Sequence, residues 1–169
     1  MLKKFITAFS VFSIICISGC SSLATMKKSK YVEKPADKMG LINIVRPSIF
    51  LGDGVKMEAW DGSTFIGTLS SGSMLQYAAN PGSHCIMVNP TQGGKWATLK
   101  VEVKANTTYF IKPNTIPFVG LKLGLADETD QRKAEWIKEL TPFAIDTAKT
   151  KPVPEKVISK AKEYSANCN

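Results

Sequence analysis

Trp96-Ala97-Thr98-Leu99-Lys100-Val101-Glu102-Val103-Lys104 is the stretch that decides the fold. Ala97, Leu99, Val101 and Val103 fall on one side of an extended chain, and Thr98, Lys100, Glu102 and Lys104 fall on the other. A period of two with apolar and polar faces is the pattern of a half-buried β-strand. Other short apolar runs bounded by turn residues lie on either side of it. Leu41–Arg46 stops at Pro47, Val55–Trp60 at Asp61-Gly62, and Thr64–Leu69 at Ser70-Ser71-Gly72. Ser73–Ala79 stops at Asn80-Pro81-Gly82, and His84–Asn89 runs into a loop with proline and glycine. Thr107–Lys112 and Phe118–Leu125 complete the set. About eight short, evenly spaced strands predict a mainly β protein, an antiparallel β-sandwich or small barrel. Parallel pairing is not expected, because it needs long crossovers that the turn-length connections do not offer.

The period changes after residue 126. Asp127 can cap a helix running to Glu139, with Trp136 and Leu140 on one side of it. Thr141-Pro142 ends this helix, because the residue before proline disfavours the helical region. After the connector Lys149–Pro154, an apolar stripe of Val157, Ile158, Ala161 and Tyr164 predicts a second helix. One or two C-terminal helices are therefore expected to pack on the sandwich.

The amino-terminal end has a different character. Lys3 and Lys4 precede an apolar run from Phe5 to Ile17, and small residues lead to Cys20. A cationic start, an apolar core and small residues at the cut mark an export signal. The apolar run is too short for a membrane-spanning helix, which needs about 20 residues. Ile17-Ser18-Gly19-Cys20 resembles the bacterial lipobox, whose cysteine carries the lipid of the mature protein. The resemblance implies cleavage after Gly19 and acylation of Cys20. With Ser21 rather than Asp in the next position, it also implies the outer membrane, facing either the periplasm or the surface. The expected organisation is a signal over 1–19, a lipidated flexible tether over 20–39, a sandwich over 40–126 and a helical segment over 127–169. Fully extended, the tether would reach at most about 60 Å at about 3.3 Å per residue.

Removing the signal leaves 150 residues, with 20 basic and 14 acidic side chains. Half of the excess positive charge lies in residues 21–39, beside the expected lipid, where anionic headgroups attract lysines. A nucleic-acid partner is not expected, since no basic stripe with interleaved aromatics occurs in an exported chain.

Two cysteines, Cys85 and Cys168, remain after processing. In an oxidising compartment they form either a disulfide or two separate thiols. In the strand from His84, Ile86 and Val88 share one face, and Cys85 and Met87 share the other. If the core takes Ile86 and Val88, a C-terminal helix on the outer face could bring Cys168 to Cys85.

Little in the sequence speaks for catalysis. His84 is the single histidine, and it points away from its neighbour Cys85. One histidine and two distant cysteines do not make a zinc set. No nucleophile elbow or phosphate-binding glycine loop is present. Asp53, Glu58 and Asp61 read as turn-forming acids. The expectation is no catalytic residues, no metal and no cofactor. The remaining candidate is an interaction loop, Pro47–Gly54 with Ile49, Phe50 and Leu51, joined by Phe118 at the same end. These apolar tips either meet a partner or fold back to plug the sandwich.

Four segments occur in order: Arg46-Pro47-Ser48 with Phe50 and Gly52, Asp61-Gly62 with Ile66-Gly67, Pro81-Gly82 with His84, and Thr108-Tyr109-Phe110. The succession resembles a domain family of Gram-negative lipoproteins, similar in pattern to PEGA-type β-domains, over residues 40 to about 140. It departs from that pattern at Trp60, where a β-branched residue is usual. The resemblance implies a small β-sandwich and no particular activity. The functional expectation is a non-enzymatic binding or structural module, held to the membrane by its lipid and contacting an envelope protein or polysaccharide. An accessory subunit of a secretion or surface-structure machine, and an enzyme acting on peptidoglycan or lipid, are the alternatives.

Overall fold

The computed structural model describes residues 23–48, 53–116 and 120–168. The expected export signal over 1–19 and Cys20 lie outside the described residues. Ten strands and two helices follow in order: β1 (Met26–Lys28), β2 (Gly40–Arg46), β3 (Met57–Asp61), β4 (Thr64–Leu69), β5 (Ser73–Ala79), β6 (Gly82–Pro90), β7 (Ala97–Val103), β8 (Thr108–Ile116), β9 (Gly120–Leu125), α1 (Arg132–Glu139), β10 (Thr141–Ile145) and α2 (Glu155–Ser165). The chain is mainly β, a sandwich of two sheets with two helices. The first sheet has the order β1-β10-β5-β2-β8-β9, and the second β4-β3-β6-β7.

The alternation that marks β7 also builds the core. Val101 and Val103 meet Ile86 and Val88 of β6, Met57 and Ala59 of β3, and Ile42 and Ile44 of β2 between the sheets. Fully burying each of these larger side chains stabilises the fold by about 1.5–3 kcal/mol. All of β2 is buried, and α1 covers Val45 on its outer face. Turn chemistry fixes the β3–β4 hairpin: Gly62 opens its two-residue loop at φ +55°, a conformation costly for other residues.

Each helix covers the outside of a different sheet. Trp136 and Leu140 seat α1 on Val45, Met74 and Phe110 of the first sheet. Ala161 seats α2 on Trp60 and Met87 of the second. The layers therefore run α1, first sheet, second sheet, α2.

Four expectations are corrected. The sandwich is not wholly antiparallel: β2 pairs parallel with β8, and β5 parallel with β10. The crossovers are whole elements, since the chain between β2 and β8 builds all of the second sheet before it returns. Residues from 23 onward are not a free tether. Ala24 is buried, β1 pairs with β10, and the Gln76 amide brackets Val32, donating to its carbonyl (2.8 Å) and accepting from its N–H (2.7 Å). This segment is a belt, passing from the outer face of the second sheet at Leu23 to that of the first at Tyr31. Residues after 126 are not only helical, because β10 closes onto β5. Finally, α1 begins at Arg132 rather than near Asp127, because the Asp127 carbonyl accepts the Asp130 N–H (3.1 Å) in a turn.

Candidate functional site

One end of the sandwich is organised by Arg46, the last residue of β2. Its guanidinium is buried and donates to the carbonyls of Val55 and Leu69, which ties the first sheet to the second. Burial lowers its pKa, and the charge of Asp53 opposes that shift without overcoming it. Beside it, a cavity of about 680 Å³ opens between the ends of β2, β8 and β9 and those of β3 and β6. Val55, Met57, Pro90, Pro113 and Leu121 give it apolar walls, and Gly93 and Gly94 cover one side. Arg46, Lys95 and Lys112 are the charged residues among its described liners, and no carboxylate joins them. Lys95 and Lys112 make no ion pair among the described residues. Apolar walls with two lysines at their rim suit a ligand with an apolar body and an anionic group.

The expected interaction loop is not described in full. Ile49, Phe50, Leu51 and Phe118 lie outside the described residues, but Pro47 and Gly120, from the two chain segments that carry them, both line the cavity. Sequence reasoning gave no sign of the cavity.

The opposite end holds the single histidine. His84 Nδ1 lies 2.6 Å from Asp61 Oδ2, and Nε2 lies 2.8 Å from the Asn80 carbonyl. Burial alone would lower the imidazole pKa. The hydrogen bonds to Asp61 and Asn80 and the charges of Asp61 and Glu102 outweigh it, and the pKa is raised. Two acceptors facing both ring nitrogens select the imidazolium, with each N–H donating. Tyr77 faces the same acid: burial and then Asp61 push its phenol pKa up to about 12. With both nitrogens committed, His84 ties β3, β6 and the turn after β5 together. Asp61 is therefore more than a turn former, and its hairpin position gave no sign of this pairing.

Glu58 also departs from the turn-forming reading. It sits in β3, 8% exposed, where burial raises its carboxyl pKa against the opposing effects of Asn89 and Trp60. Asn89 Nδ2 donates to it at 3.3 Å, whereas the Trp60 indole N–H closes no hydrogen bond by distance and angle.

Cys85 and Cys168 are joined in a disulfide, with Cα atoms 5.9 Å apart. The bond fastens the end of α2 to the outer face of β6. Beneath α2, Trp96 stacks on Tyr164 at 5.1 Å, and Trp60 meets Phe65 edge-on at 5.0 Å. Among the described residues no three histidine, cysteine or acidic side chains gather as a metal site. Comparison with protein-family models, curated proteins and solved structures finds no match.

Proposed function

We propose that this chain is an outer-membrane lipoprotein, anchored through acylated Cys20, that acts without catalysis as a binding module of the cell envelope. The lipobox-like Ile17-Ser18-Gly19-Cys20 supports the anchor. The observation that carries the binding role is the cavity beside Arg46, apolar in its walls and cationic in its charged groups. The ligand that fits has an apolar body and an anionic group, free or displayed by an envelope polymer or protein. His84 fits a structural role, since both ring nitrogens already have partners. The accessory-subunit and envelope-enzyme readings draw no specific support from this arrangement.

A dye pair tests the cavity. Anilinonaphthalene sulfonate is anionic and apolar, and phenylnaphthylamine is a neutral counterpart. The purified protein should bind the sulfonate at one saturable site. Lys95→Glu with Lys112→Glu should weaken that site by at least about tenfold, equivalent to about 1.4 kcal/mol, and leave the neutral dye nearly unchanged. Equal sulfonate affinity in both proteins would refute the assignment.

A further inference from the structure

We infer that the α2 face is the membrane-facing side of the domain and that it docks on anionic phospholipid headgroups. The inference rests on the proposed acylation of Cys20. Leu23 packs among Phe65, Trp96 and the apolar side of α2. Only Ser21 and Ser22 separate it from Cys20, so the lipid attachment point lies within three residue steps, about 11 Å, of that face. The belt that follows has no slack to release. Ala24 is buried, the Thr25 N–H reaches Thr150 Oγ1 at 3.2 Å, and the Thr25 carbonyl accepts the Asp146 N–H at 2.8 Å. A leash long enough for free rotation would have to come from residues that are already fastened to the sandwich.

The charge on the two helical layers fits this orientation. Residues 127–139, around α1, hold five acids against Arg132, Lys133 and Lys138. Residues 146–163, up to and through α2, hold five lysines against Asp146, Glu155 and Glu163. The overall balance after residue 126 conceals this division, because the two helices sit on opposite faces. Lys156, Lys160 and Lys162 are exposed on α2, and Lys27 and Lys28 of β1 are exposed along the belt. The short leash and the lysines select one face, and the acidic α1 layer points away from an anionic bilayer. The cavity, formed at strand ends, is left open to the aqueous side.

Lysine footprinting of the full acylated protein in vesicles tests the orientation. In vesicles containing phosphatidylglycerol, Lys156, Lys160 and Lys162 should be modified at least about threefold more slowly than in phosphatidylcholine alone, because lysines near an anionic surface are held by it. Lys133 and Lys138 should keep one rate in both. A flexible Gly-Ser insert of about 20 residues after Ser21 allows roughly 25 Å of excursion and should erase much of the protection. Intact mass of the same preparation reports the acyl chains. Acylated protein with equal rates on both helices, or with protection on α1, would overturn the docking alone. Protein without acyl chains would overturn both the docking and the anchor beneath it.

Discussion

His84 and Asp61 meet side chain to side chain at 2.6 Å, and the second imidazole nitrogen reaches the Asn80 carbonyl at 2.8 Å. One residue thereby joins two strands of the second sheet to the turn leaving β5 of the first.

That contact makes stability depend on pH with a definite sign. The folded pKa of His84 is raised above its ordinary value of about 6.5. Its contribution is fully present below the unfolded pKa and is lost as pH rises through the folded one. The urea midpoint should fall from pH 6 toward alkaline pH, and His84→Gln should flatten that fall. Asp61→Ala should cost about 1.5–3 kcal/mol at pH 6, because it removes a hydrogen bond to a charged group. A His84→Gln protein with the wild-type pH profile would contradict this.

Glu58 has the opposite consequence for mutation. Its raised carboxyl pKa means that the native state loses stability as pH climbs through the folded value. Glu58→Gln should therefore stabilise the protein at pH 7 and change little near pH 4. The new amide can also donate toward Asn89 Oδ1, which has no partner among the described residues. Thermal melts at the two pH values provide the comparison.

The Cys85–Cys168 bond closes a sequence separation of 83 residues. Reduction, or Cys168→Ser, should lower stability by up to about 4–5 kcal/mol in the chain-entropy model. Because α2 covers Trp60 and stacks on Trp96, its release should also shift tryptophan emission to the red. Loss of stability without that shift would mean that α2 holds its place unaided.

The belt is testable at Gln76. Gln76→Leu removes the two hydrogen bonds that bracket Val32, and one that reaches Asn43 Oδ1. Fully buried Asn43 would lose a partner, so the cost should be about 1–3 kcal/mol. Trypsin should then cut faster at Lys28 and Lys30. Unchanged cleavage rates would show that other contacts hold the belt.

Much of this fold is written in local pattern. The alternation through β7 was legible because one face is buried and the other wet. The same rule put Cys85 on the outer face, from which a helix over that face brought Cys168 within reach. β1 was not legible: Met26-Lys27-Lys28 carries no apolar period and becomes a strand only by pairing with β10, more than a hundred residues away. β10 hid behind Pro142, which reads as the end of a helix and gives no sign of an edge pairing with β5. Parallel neighbours escaped for a related reason, since their crossovers are entire elements. The cavity draws on several strand ends and a glycine loop, and each of those alone is an ordinary turn. Cationic Lys95 and Lys112 are 17 residues apart, and only the approach of the two sheets gives them a shared space.

The most direct test of the account is the intact mass of the mature protein extracted from outer membranes. The account predicts a chain beginning at Cys20, heavier than its amino acids by a diacylglycerol and an amide-linked acyl group, and found only with the membrane. A soluble periplasmic chain with an unmodified amino terminus would contradict it.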